Sequence, residues 1–308
     1  MKEQKGPTHR NLPSRAALTV AVLCLGFGIG SLVYRLLHTA RLEQSAAFFI
    51  GLPALMAVVA ALVALYLKTD SAAGISIKLV TIVLLLAGPL LNEGFICVIL
   101  AAPLFYAVAV LVALAIDGLN KWRKRQSAKS APLGLLLVLP LLAFSLEGTM
   151  PELSLPRSGT STALRIVDAS PAQVEAALSA SPHFDRQLPA LLQLGFPTPT
   201  AARGGGLNIG DQRTIAFGRR ELVLGVDEHA ANRVHFRTLR DDTKVAEWLA
   251  WQSAEVTWTD LGDGRTAVQW TLTYTRRLDP AWYFGPWEAL VTTQAADYLI
   301  ETAATPAS

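Results

Sequence analysis

The segment TAVQWTLTYTRRLDPAWYFGPWE, residues 266–288, is the most informative part of the C-terminal half of the chain about its architecture. Apolar and polar side chains alternate along its first part, a period of two that is typical of a strand with one buried and one exposed face. The apolar positions are Val268, Trp270, Leu272 and Tyr274. From Pro286 onward the apolar residues recur at helical spacing, which predicts a helix over 286–301. The segment therefore predicts a half-buried strand that leads through an aromatic corner into a long terminal helix.

The residues upstream predict the other elements of an α+β domain. A short strand over 162–170 leads to Ser170, which caps a helix together with Pro171 and Gln173. A second short helix is predicted over 183–194 and a loop over 201–210. Alternating strands follow from Arg213 onward, and 244–252 is interpreted as a strand because its neighbours are strands. The predicted order is one strand, two short helices, five or six antiparallel strands and the terminal helix.

This order resembles the START-like superfamily, also called SRPBCC, which includes polyketide cyclases and lipid-transport proteins. The resemblance rests on SPAQVEAAL (170–178) after the first strand and on GDQRTIAFG (210–218) entering the second. RRLDPAWYFGPWE (276–288) resembles the last corner of a membrane-attached bacterial branch. The resemblance covers about 160–302 and implies a helix-grip fold, in which a curved antiparallel sheet wraps the C-terminal helix around a hydrophobic cavity. We expect this START-like domain at 162–302, after a linker at 148–161.

The N-terminal half has the composition of a membrane region. Residues 1–149 hold 13 Lys and Arg against 6 Asp and Glu, whereas residues 150–308 hold 14 against 18. After a basic tail at 1–15, apolar runs long enough or nearly long enough to span a bilayer predict about five helices within 16–147. The predicted spans are 16–34, 46–67, 74–92, 95–116 and 131–146.

The positions of Lys and Arg predict the orientation of these helices. With a cytoplasmic N-terminus, eleven Lys and Arg lie on the cytoplasmic side and only Arg35 and Arg41 lie outside. The cluster KWRKR (121–125) places the end of the fourth helix inside. We expect a multi-pass protein of the cell membrane in which 131–146 spans the bilayer, and this places the C-terminal domain outside the cytoplasm. If 131–146 lies flat on the membrane instead, the domain is cytoplasmic.

The sequence argues against several classes of function. Its basic residues lie between apolar runs, so a nucleic acid is not an expected partner. The chain has only two cysteines, both in apolar runs, which excludes a disulfide scaffold or a Cys-based zinc site. No phosphate loop, metal-ligand spacing or Ser-His-Asp order is present, so we expect no cofactor and no metal, and an enzyme is the less favoured interpretation.

Two arginines stand on the predicted inner face of the sheet. Arg213 is in phase with Ile215 and Phe217, and Arg276 is in phase with Trp270 and Tyr274. A buried charge needs a partner, and the acidic residues that could provide one are Asp211, Asp279, Glu255 and Glu288. Either a structural ion-pair network forms, or one arginine binds the polar head of a ligand. The candidate cavity or rim residues are Arg213, Phe217, Trp258, Trp270, Tyr274, Arg276, Trp282, Tyr283 and Trp287.

Three functions remain open at this point. The leading hypothesis is a membrane-anchored domain that binds or carries a lipid or another hydrophobic small molecule, in a dry cavity of roughly 300–1,000 Å³. The second is a scaffold or interaction protein whose cavity is filled by its own side chains. The third is a cavity enzyme of the cyclase kind, for which Tyr274, Arg276 and Arg213 would be the first candidates. The expected partners are the lipid bilayer and the hydrophobic small molecule.

Overall fold

The computed structural model of the protein describes residues 46–51, 53–54, 72–91, 95–125, 140 and 143–306. Two long helices lie in the N-terminal half: α1, Ala72–Leu91, and α2, Phe95–Arg125. They pack against each other, and α2 also packs against a π-helical turn at Ala47–Gly51. The predicted spans at 74–92 and 95–116 are therefore helical. The predicted span at 16–34, and most of those at 46–67 and 131–146, lie outside the described residues.

In the described part of the chain, one helical segment is long and apolar enough to cross a membrane, Val98–Ile116. A shorter apolar segment, Ala73–Leu84, lies in α1. A membrane region of five helices thus stays a prediction.

A seven-stranded antiparallel sheet forms the C-terminal domain, with the strand order β1-β7-β6-β5-β4-β3-β2. The strands are β1 Ser158–Val167, β2 Ala201–Gly204, β3 Gln212–Phe217, β4 Arg220–Ala230, β5 Arg233–Asp241, β6 Leu249–Asp260 and β7 Thr266–Arg276. The period of two in β7 is confirmed, because every second residue from Thr266 to Arg276 is buried. The first and last strands are neighbours: β1 lies at one edge of the sheet and pairs with β7 along ten residues.

The terminal helix α4, Ala281–Leu299, lies across β1 and β7 and continues as a π-helical turn to Ala304. Arg165 on β1 forms ion pairs with Asp297 and Glu301 on this helix. Nearer its start, the Thr292 hydroxyl donates to Ser161 Oγ at 2.6 Å. A sheet that grips a C-terminal helix in this way fits the helix-grip architecture.

Helix α3, Pro171–Ser179, begins at the predicted capping box of Ser170 and Gln173. Several boundaries differ from the sequence prediction. The helix predicted at 183–194 is wrong: only a 3₁₀ turn at Leu192–Leu194 forms, since Pro189 lies inside the segment and cannot donate a helical hydrogen bond.

Three further differences concern strands and the start of the last helix. The predicted loop at 201–210 contains β2, which pairs with β3 at the sheet edge. The predicted strand at 244–252 begins with a 3₁₀ turn, Lys244–Glu247, and joins the sheet only from Leu249. Helix α4 starts five residues before Pro286, so this proline lies inside the helix rather than at its first position. The Asp279–Pro280 peptide bond just before α4 is cis.

Candidate functional site: an apolar cavity with one unpaired arginine

A cavity of about 150 Å³ lies between the inner face of the sheet and α4. Strands β3 to β7 form its floor, and Val291, Ala295, Tyr298 and Leu299 on α4 form one wall. The irregular segment 182–199 covers it with a row of apolar side chains. These are Pro182, Phe184, Leu188, Leu192, Phe196, Pro197 and Pro199. The volume is smaller than the one expected for a lipid site.

Among the described residues, Arg213 is the one charged residue in the wall of this cavity, and it is only 4% exposed. Its Nη2 donates to the carbonyl of Leu178 at 2.5 Å, near the C-terminal end of α3 where carbonyls have no partner inside the helix. Its guanidinium carbon lies 5.0 Å from the ring centre of Phe236, a cation–π contact. No carboxylate of the described residues comes within ion-pair distance of it, and burial lowers the pKa of the Arg213 guanidinium to about 10.

Polar atoms without hydrogen-bond partners lie in the wall of the same cavity. Among the residues that the structure describes, Arg213 Nε, Thr238 Oγ1 and Trp270 Nε1 are buried and have no hydrogen-bond partner. All three side chains line the cavity. Buried donors of this kind are rare in folded proteins, because each loses its hydrogen bonds to water without replacement. Apart from these three groups and the hydroxyls of Ser253 and Tyr298, the described wall is apolar, and the three unpartnered groups are able to donate to a bound molecule.

The sheet register brings Arg213 and Thr238 to one inner row. Arg213 on β3 is opposite Leu224 on β4, which is opposite Thr238 on β5. The pairing then shifts by one residue, so that Leu239 is bulged. Bulges re-aim side chains and are frequent beside functional sites.

Arg276, by contrast, does not line the cavity, and it pairs with acidic groups at the corner between β7 and α4. Its Nη1 lies 2.5 Å from Asp279 Oδ1, and its Nη2 lies 3.9 Å from Glu147 Oε1. Arg157 reaches the other oxygen of Asp279, also at 2.5 Å. Asp279 is one of the four partners that the sequence offered, whereas Glu147 comes from the segment before the domain. Arg276 thus belongs to a buried ion-pair network.

Glu288 on α4 lies beside this network. It is 8% exposed, and its carboxylate oxygens have no hydrogen-bond partner in the described residues. Burial raises the pKa of its carboxyl to about 8, although the nearby Arg276 acts in the opposite direction. Arg157 and Arg276 already pair with the carboxylates of Asp279 and Glu147. The carboxyl of Glu288 has no such partner among the described residues, and its protonated form is therefore favoured.

Of the remaining residues that the sequence predicted for the cavity or its rim, two line the cavity and the others lie elsewhere in the structure. Phe217 and Trp270 line the cavity with Arg213. Trp258 is 1% exposed in the domain core, and Tyr274 packs edge-on to Trp251. Tyr283 packs against the hydrophobic cluster of the N-terminal helices, and the aromatic corner as a whole does not line the cavity. It comprises Trp282, which is 52% exposed, and Tyr283 and Trp287, which are half-buried.

This corner connects the domain to the apolar helices. Phe284 is 2% exposed and its ring centre lies 4.5 Å from that of Phe49. It belongs to the hydrophobic cluster formed by α1, α2 and residues 46–54. The Glu147 side chain accepts from the backbone amide of Ala281 at 3.0 Å, and its carbonyl accepts from Ala46 at 2.9 Å. Residues from both halves of the chain therefore meet at the start of α4.

Sequence reasoning missed Thr238 and the covering segment 182–199. Thr238 lies among charged residues in RTLRDD (237–242), and the bulge that follows it leaves no signal in the alternation. The density of Pro, Phe and Leu in 182–199 was the available signal for an apolar cover.

No family model matches the chain, and no curated protein matches it. Solved structures of START-superfamily proteins match its C-terminal half. One is a START superfamily protein from Mycobacterium smegmatis, with 14% identity and a TM-score of 0.34 over 46% of this chain and 92% of that one. The Zhui aromatase/cyclase from a Streptomyces species has 16% identity and a TM-score of 0.33 over 49% and 99%. Norcoclaurine synthase from Thalictrum flavum, in complex with dopamine and hydroxybenzaldehyde, has 11% identity and a TM-score of 0.28 over 47% and 87%.

Proposed function

We propose that the protein is a membrane-anchored module that binds a small hydrophobic molecule in its C-terminal domain. The observation that carries this proposal is the apolar cavity between the sheet and α4, which the protein's own side chains leave open. Its volume of about 150 Å³ is close to that of engineered apolar cavities that stay dry and bind benzene-sized molecules. A ligand of this size fits better than a whole phospholipid.

Exposed apolar side chains support the anchoring part of the proposal. Ile77, Ile99, Leu111 and Leu114 are 38–55% exposed on α1 and α2. The segment before the domain exposes Phe144, Leu146, Met150, Leu153 and Leu155, each by 45% or more. Exposed apolar surface on this scale is unusual for a protein surrounded by water, and a bilayer would cover it.

The contacts of α2 favour an extracytoplasmic domain. The domain touches the first turns of this helix, since Tyr283 bonds to Leu100 and Gly195 faces Ile96. The basic residues 121–125 end the same helix, about 35 Å further along at 1.5 Å per residue. That distance exceeds the hydrocarbon thickness of about 30 Å. Because basic ends are retained in the cytoplasm, the domain belongs on the opposite side.

Native mass spectrometry of the full chain, released gently from its own membranes, tests the binding proposal. We expect a stoichiometric small-molecule adduct on the wild type. Ala295→Leu, which fills the cavity from α4, is expected to remove it. Ala289→Leu adds the same group at an exposed position of the same helix and should keep the adduct. A wild type without adduct that also takes up no offered apolar compound would point to the scaffold role instead.

A further inference from the structure

We propose that the ligand is a small apolar acid whose carboxylate is bound by Arg213 and Thr238. This inference rests on the proposed function of the cavity and adds the chemical class of the ligand. It also gives the two arginines of the inner face different roles, a ligand-binding one at position 213 and a structural one at position 276.

The missing counter-ion of Arg213 is the first argument. A buried guanidinium without a carboxylate is unfavourable, since it has lost its hydration and gained no opposite charge. Arg276 in the same sheet has Asp279 and Glu147 close by, whereas Arg213 has only the Leu178 carbonyl and the Phe236 ring within the described residues. A ligand carboxylate would supply the charge, and a guanidinium binds carboxylates through parallel hydrogen bonds.

The other unpartnered donors are the second, independent argument. Thr238 Oγ1 and Trp270 Nε1 are buried, lack partners in the described structure and line the same cavity. Phe236, over which the guanidinium lies, is two residues before Thr238 on β5 and shares its face. The guanidinium of Arg213, a residue of β3, therefore lies over β5, the strand that carries Thr238. A carboxylate has about four acceptor sites, enough to accept from both Arg213 Nε and the Thr238 hydroxyl.

The size and charge of the cavity narrow the class of ligand. Arg213 provides one positive charge in an otherwise apolar wall, which matches one negative charge on an apolar body. An amine would meet a like charge with no compensating carboxylate in the described wall. A volume of about 150 Å³ limits the body to roughly the size of one aromatic ring.

The test compares three probes of similar size, toluene, benzamide and benzoate, on the full chain in lipid nanodiscs. Binding is followed by ligand-observed NMR, with empty nanodiscs as the blank. We expect toluene to bind, and benzoate to bind about ten- to a hundredfold more tightly than its neutral isostere benzamide. Arg213→Met should remove that preference and leave toluene binding within about twofold. Thr238→Val should weaken benzoate about fivefold, and Arg237→Met, on the exposed face of β5, should change nothing.

The outcomes separate the two proposals. If none of the three probes binds, the cavity is not a ligand site and both proposals fall. If toluene binds but benzoate binds no better than benzamide, the acid class is wrong and the hydrophobic site stands. A benzoate preference that persists in both Arg213→Met and Thr238→Val would place the anion elsewhere and overturn the inference.

Discussion

The hydroxyl of Tyr283 donates a hydrogen bond to the backbone carbonyl of Leu100, with 2.6 Å between the two oxygens. This bond joins the first turn of α4 to the early turns of α2. Two to four turns further along α4, Val291, Ala295 and Leu299 line the cavity. One helix therefore contacts both the apolar N-terminal helices and the candidate ligand site. The cover of the cavity also reaches α2, because a methyl group at Gly195 would lie 3.8 Å from the backbone nitrogen of Ile96.

Phe284→Ala is expected to weaken the attachment of the domain to the helices. The buried ring packs on Phe49, and its removal should lower the free energy of unfolding by about 3–5 kcal/mol. Thermal unfolding of the full chain in detergent measures the loss. Trp282→Ala, at the exposed neighbouring position, serves as the control and should cost less than about 1 kcal/mol. Equal losses in the two variants would show that the contact with the helices does not stabilise the protein.

A labelling experiment checks the side of the membrane. In a chain with Cys24 and Cys97 replaced by alanine, Asp263→Cys places a thiol in the exposed turn between β6 and β7. A membrane-impermeant maleimide should label it in intact spheroplasts. Ser127→Cys, next to the basic cluster, should be labelled only after lysis. The reverse pattern would place the domain in the cytoplasm.

Elements with a local or periodic sequence pattern were predicted from the sequence. Features that depend on contacts between residues far apart in the chain were not. Alternation in 268–274 and the capping box at Ser170 are local patterns, and β7 and α3 form where they indicate. Arg213 and Arg276 have the same inward phase, so the pattern alone could not distinguish them. Arg276 pairs closely with Asp279, a partner that the sequence had offered, and also approaches Glu147, which lies 129 positions earlier and reaches it only in the folded chain. Among the described residues no acidic side chain reaches Arg213 in the same way, and only the folded chain could show this. The size of the cavity depends on 182–199, whose irregular path has no periodicity.

Arg276→Met is expected to destabilise the protein without changing the cavity. The substitution removes a counter-ion of buried Asp279, and breaking a buried pair in this way costs about 3–5 kcal/mol. Chemical unfolding of the full chain measures the loss, and Arg277→Met, at the half-buried next position, is the control. Toluene binding should persist below the unfolding transition. A stable variant with altered binding would mean that Arg276 acts at the ligand site after all.

Glu288 is expected to make the stability depend on pH. Its folded pKa of about 8 lies above the ordinary glutamate value of 4.5, so between these values the folded state holds a proton that the unfolded state has released. The contribution to stability is therefore complete below about pH 4.5 and is lost as the pH rises to about 8. Melting temperatures across this range should fall with pH in the wild type and fall less in Glu288→Gln. Parallel curves for the two proteins would show that this carboxyl is ionised in the folded state.

Arg213→Met is expected to stabilise the empty protein, the opposite of Arg276→Met. It removes a buried charge that has no counter-ion in the described structure, and the hydrogen bond to Leu178 and the cation–π contact with Phe236 are lost with it. Replacing an uncompensated buried charge by an apolar side chain of similar length is favourable, and we expect a gain of about 1 kcal/mol, or roughly 2–4 °C in the melting temperature. Binding sites commonly carry such a stability cost. Added benzoate should raise the melting temperature of the wild type more than that of the variant, since a ligand stabilises a protein in proportion to how tightly the folded state binds it. A variant that melts lower than the wild type in the absence of ligand would show that Arg213 already has its partners within the protein and that its role is structural.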